Sequence, residues 1–148
     1  MSHSVIRVNL RTLGSGDLAG KEATSVAPVS DWWPFRNQML VTLAAMRAIT
    51  CGVAGLLIGT VKGDGQHADA RREFIEAMDE TLRLQEGSVT LEAPAIALTA
   101  VELVRESRVP WELLGWAHSC HTANYACGVC RGCHKHYHTW ESLGAEPY

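Results

Sequence analysis

No run of lysine or arginine longer than two occurs in the 148 residues, and the net charge is −3. A surface built to neutralise a phosphate backbone is therefore not expected, and nucleic acid drops out as a partner. The N-terminal stretch "MSHSVIRVNLRT" has no long apolar core and no small-residue cleavage site, so it does not read as a secretory signal. The most apolar run, "CGVAGLLIGTV" at 51–61, is about half as long as a membrane span requires. These absences make the chain read as cytosolic, with no membrane partner. No internal repeat and no low-complexity segment is visible. A phosphate loop is missing too. "GSGDLAGK" at 14–21 resembles one, but Ser15 stands where the first glycine belongs and Glu22 replaces the magnesium-binding hydroxyl.

What is present suits one folded domain: 47% apolar and 20% charged residues in a length that allows one real core. "VIRVNL" (5–10) reads as a short strand in an otherwise turn-rich N-terminal segment. "NQMLVTLAAMRAIT" (37–50) places Met39, Leu43 and Met46 on helical spacing with Leu40 and Ala44 beside them. This predicts a mostly buried helix, ended by Gly52. "VAGLLIGT" (53–60) is a continuous apolar run, the pattern of a parallel strand covered on both faces. "DARREFIEAMDETLRLQEG" (69–87) predicts a helix with Asp69 as its cap, Ala70, Phe74, Met78 and Leu82 as its stripe and Gly87 at its end. A short strand, "SVTLEAP" (88–94), and a helix, "TAVELVRESR" (99–108), follow. Strand and helix alternate, so the fold class is α/β with a parallel sheet.

Four of the five cysteines and four of the seven histidines fall within "SCHTANYACGVCRGCHKHYH" at 119–138. Cys120, Cys127, Cys130 and Cys133 are spaced C-x6-C-x2-C-x2-C. In a reducing compartment such a cluster points to metal, not to disulfides. A C-x2-C turn sets two thiolates along one edge of a tetrahedron, so zinc is the leading reading and a [4Fe–4S] cluster the alternative. With four cysteine ligands no position remains for water, and the site is expected to be structural. His134 and His136 are expected on a solvated segment after this knuckle. His118 and His121, beside Cys120, are candidates to support a thiolate or touch a ligand. Cys51 reads as a small core residue.

The succession of "PFRN" (34–37), "LLIGT", "ADARREFIEAMDETL" (68–82), "LEAPAIALTAVELV" (91–104) and "VPWELLGWAHSC" leading into "CGVCRGC" resembles the 7-cyano-7-deazaguanine synthases of queuosine biosynthesis. These belong to the PP-loop ATP pyrophosphatase superfamily, and the likeness runs over most of the chain. It implies a truncated doubly wound parallel sheet, adenine nucleotide α-hydrolase-like, with a C-terminal zinc knuckle at 118–138. Residues 1–33 would be an irregular segment and 34–148 the synthase-like domain. It further implies ATP-driven conversion of a 7-deazaguanine carboxylate to amide and nitrile, with zinc structural and ATP and magnesium as cofactors. Arg36 and Asn37 would face the nucleotide or base pocket, with Asp69, Arg71 and His118 as further binding candidates. On the residues alone, Asp69 is equally a helix cap and Arg71 a surface ion-pair partner. The family's Ser-Gly-Gly-x-Asp-Ser loop is absent, Ala100 stands where the family has lysine, and "HADA" replaces Tyr-Pro-Asp-Cys. These departures imply dependence on a partner chain, a second copy or a further segment for ATP. The alternative is a non-catalytic zinc-binding scaffold drawn from the same family.

Overall fold

A computed structural model describes residues 3–145. Helix α1 (Arg36–Thr50) leads to strand β1 (Gly55–Leu57), helix α2 (Arg72–Arg83) and strand β2 (Thr90–Glu92). Helices α3 (Ala100–Ser107), α4 (Trp111–Leu114) and α5 (Arg131–Leu143) follow. Single 3-10 turns occupy Asp17–Ala19, Lys62–Asp64 and Ala68–Ala70. β1 and β2 pair in parallel, Leu56 opposite Leu91, with α2 as the crossover, so the chain is α/β around a two-stranded sheet.

The core forms where three apolar faces meet. α1 contributes Val41 and Ala45, α2 contributes Ile75, Met78 and Leu82, and β2 contributes Leu91. Leu56, Ile58 and Phe74 pack against this cluster half-buried. The α1 stripe runs through Asn37, Val41, Ala45 and Ala48, a single helical face. The expected mostly buried helix is thus corrected: Leu40, Met46 and Ile49 lie on the outer side and are exposed. β1 is corrected in the same way. Leu57 is 74% exposed, so the apolar run is covered on one face and not on both.

Other expectations fail for local reasons. Residues 5–10 join no ladder; Ile6, Val8 and Leu10 instead line a groove against Met39, Leu40 and Leu43 of α1. Cys51 is the exposed residue closing α1 and not a core residue. Asp69 lies in the 3-10 turn before α2, whose cap position is held by Arg71. α2 stops at Arg83, and Gly87, at φ 94°, turns the chain four residues later toward β2. α3 opens on a reciprocal cap: Thr99 accepts from the Glu102 N–H at 3.2 Å while the Glu102 carboxylate takes the Thr99 N–H at 2.7 Å.

α5 carries the histidines expected on a solvated segment. His134 is exposed, but His136 is buried against Trp140, with its Nδ1 3.3 Å from the Ser119 hydroxyl. A helix that begins at the last C-x2-C places every fourth residue inward, which turns 136 and 140 to the core side together.

Candidate metal centre and adjoining cavity

The cysteine cluster is built by one loop and one helix N-terminus. Cys130 occupies the cap position of α5, and its sulfur accepts the Cys133 N–H at 3.4 Å and the His121 N–H at 3.4 Å. The four sulfurs lie within 4.8 Å of one another, with Cys127 and Cys133 at 3.9 Å and Cys120 and Cys130 at 4.0 Å. Zinc–sulfur bonds near 2.3 Å require tetrahedral edges of about 3.8 Å, so the donor set fits a tetrahedral thiolate site. Cys130 and Cys133 are buried, Cys120 is half-buried and Cys127 is exposed.

The thiols differ in character. The Thr122 N–H and hydroxyl bring Cys120 down to about 5, while burial pushes Cys133 up to about 11. Cys127 is also lowered, chiefly by the Thr122 hydroxyl. Four sulfurs this close cannot all carry charge beside one another in water, whereas a dication at their centre makes every one of them a thiolate. Gly132 is the steric condition for this packing. A Cβ there would stand 1.8 Å from the Ser119 carbonyl oxygen and 2.7 Å from the His121 ring.

Beside the knuckle lies a cavity of about 380 Å³. Its floor is the carboxyl end of β1 and the residues after it (Leu56–Thr60), one wall is the N-terminal turn of α1, and the other is the knuckle. Arg36, His67, His121, Arg131 and Lys135 line it, facing Asp31 and Asp64, so its walls carry more basic than acidic groups. Such a place, outside the carboxyl end of a parallel strand, is where open α/β sheets take ligands.

The sequence-derived candidates are distributed as follows. The four cysteines come together. Arg36 and Asn37 both line the cavity. Asp69 stands behind Asn37, accepting its backbone N–H at 3.2 Å on the carboxylate and its side-chain amide at 3.0 Å on the carbonyl. Arg71 is outside the cavity and donates from Nε to the Gly65 carbonyl at 2.8 Å. His118 is also outside it, with Nε2 3.1 Å from the Ala123 carbonyl in the knuckle loop. Asp31, His67, Arg131 and Lys135 were not singled out by sequence reasoning. Arg131 and Lys135 sit four apart at the start of α5, a spacing that marks one helix face once the helix is known. The pseudo-phosphate loop is closed to anions at its lysine, since Lys21 Nζ donates to the carbonyls of Arg11 at 2.7 Å and Thr12 at 3.3 Å.

Comparison with known proteins adds a family to this geometry. The family model described as "Queuosine biosynthesis protein QueC" matches residues 4–144. The 7-cyano-7-deazaguanine synthase of Methanoculleus marisnigri is 34% identical over 79% of this chain and 55% of its own length. That of Koribacter versatilis is 33% identical over 93% of this chain and 57% of its own. That of Nostoc punctiforme is 31% identical over 96% and 71%. The chain spans little more than half the length of the first two relatives.

Proposed function

This chain belongs to the queuosine biosynthesis protein QueC family, and from that premise we propose that its cavity binds a 7-deazaguanine carboxylate for conversion to amide and nitrile. The observation that carries this reading is Arg36 on the wall of a cavity with apolar side chains beneath, where the neighbouring Arg131 and Lys135 are already paired with Asp31 and Asp64. A planar heterocycle suits the floor of Leu56, Ile58 and Leu91, and a guanidinium pairs with a carboxylate through two parallel N–H donors. Asn37, with its own amide committed to Asp69, fixes the turn from which Arg36 projects.

Zinc is the metal that the four cysteines would hold, and it supplies folding free energy with no coordination position left for chemistry. ATP and magnesium enter with a segment outside these 148 residues. ATP, when bound, would supply the adenylyl group that makes the carboxylate reactive toward ammonia. The β1 side of the sheet supports a further segment. The β2 edge is closed by Asp79, whose carboxylate accepts the Leu91 N–H at 2.7 Å. Among the described residues, β1 has no strand on its other side, and the sheet face that carries Leu57 is uncovered. In this reading the two strands are part of a larger doubly wound sheet, with residues 34–148 as the binding unit and 1–33 forming one wall.

The test is ATP-dependent turnover of 7-carboxy-7-deazaguanine with ammonium, with metal analysis of the same sample. The zinc-loaded chain alone is expected to give no nitrile. Product is expected when the portion of the Koribacter versatilis relative outside the match is co-expressed with it. Turnover by the chain alone would overturn the outside ATP site. One zinc per chain with no product in either case would favour the non-catalytic scaffold.

A further inference from the structure

Asp31 is 8% exposed and sits between the cavity and the knuckle. Its carboxylate is 3.0 Å from Arg131 Nε and 3.4 Å from His121 Nδ1. Neither contact has hydrogen-bond alignment, so Arg131 holds the carboxylate by charge and His121 only by proximity. The partners are placed by the cysteine site. Arg131 directly follows Cys130, and His121 directly follows Cys120 and gives its backbone N–H to the Cys130 sulfur. On the other side, Asp31 leads into Arg36 through two consecutive turns, Trp32 N–H to Val29 carbonyl at 3.2 Å and Arg36 N–H to Trp33 carbonyl at 3.3 Å. A continuous physical path therefore runs from the Cys130 sulfur to the cavity wall.

We propose that Asp31 is the positioning residue through which metal at the four cysteines sets the cavity wall at residues 31–37. A buried carboxylate that loses its cationic neighbour is left as an uncompensated charge, so it cannot stay where it is once the knuckle loosens. When the cysteines lose their ion, Arg131 and His121 leave, Asp31 must turn to water, and the turns that end at Arg36 move with it. The ion thus acts on the cavity without touching what the cavity holds. This rests on the metal-site reading above, and the test separates the two.

The measurement is hydrogen exchange by mass spectrometry on the full chain, with and without zinc, for the unsubstituted protein and for Asp31→Asn. Without substitution, zinc is expected to protect both the knuckle (119–136) and residues 31–37, and to leave α2 unchanged. In Asp31→Asn, zinc is expected to protect the knuckle alone, and cobalt substituted for zinc should give unchanged thiolate absorption bands. Arg131→Gln should reproduce that separation from the other side of the contact, and serves if Asp31→Asn does not fold. Failure to bind zinc at all would sink the metal-site reading and this inference with it. Zinc binding that leaves 31–37 unprotected, that protects it equally in Asp31→Asn, or that changes α2 as strongly as the wall, would overturn the role of Asp31 alone.

Discussion

Phe35 holds a backbone conformation that its side chain disfavours. It caps α1 at φ 55° and ψ 20°, in the left-handed region, and the residue is 74% exposed. "PFRN" stands here where the resembling family has Pro-Gly-Arg-Asn, and glycine enters that region without a Cβ clash. Phe35→Gly is therefore expected to raise stability by about 1 kcal/mol, read from the urea midpoint at unchanged slope. An unchanged or lowered midpoint would show that the ring contributes packing beyond its exposure. Gly132 is the converse case, a glycine whose replacement has no room. Gly132→Ala should cost about 2–3 kcal/mol and lower the zinc content, because the Ser119 carbonyl in its way belongs to the backbone and cannot rotate aside. Gly63→Ala, with nothing near the added methyl, should stay within about 0.5 kcal/mol and serves as the control.

Among the elements, α2 does more than fill the core, since its Asp79 closes the outer edge of β2. The Leu91 N–H, and after it the Arg83 side chain at 2.7 Å, hold the Asp79 carboxyl below its ordinary 3.8. A lowered folded-state value means that the unfolded chain takes up the proton first. The stabilisation is therefore complete above about pH 4 and is lost as pH falls through the lowered value. Asp79→Asn should cost about 1–2 kcal/mol near neutrality and flatten the acid limb of the stability profile. An unchanged acid limb would mean that another carboxylate governs it. The helices were legible because periodicity is local: Met78 and Leu82 announce the inner face of α2, whereas the cap expected at Asp69 falls at Arg71. α1 was located but turned wrongly, since Met39 and Met46 are as apolar as Val41 and only the position of β2 decides which face is inward. The pattern of "VIRVNL" was likewise ambiguous, because a strand needs a neighbour with unpaired backbone and the sequence does not say whether one is near. Asp31 was invisible for the same reason: 100 residues separate it from Arg131, and nothing local connects them.

For the molecule as a whole, the cysteine cluster and the end of β1 border one cavity. Spacing alone made the cluster legible, whereas the cavity required the tertiary fold. Cys130 joins the parts, being a member of the four-cysteine cluster, cap of α5 and acceptor of the His121 N–H. Cys130→Ser is expected to abolish stoichiometric zinc and to melt α5, seen as lost helical circular dichroism and a changed Trp140 environment. Retained zinc and an unchanged melt would show that the knuckle folds without its ion. The most direct test of the binding reading is calorimetric titration of the zinc-loaded chain with 7-carboxy-7-deazaguanine, in parallel with Arg36→Ala. The account predicts one molecule bound per chain, and binding weakened at least tenfold in Arg36→Ala with its zinc intact, as expected for loss of a bidentate charged contact. No heat of binding at millimolar ligand, or equal affinity in both proteins, would contradict it.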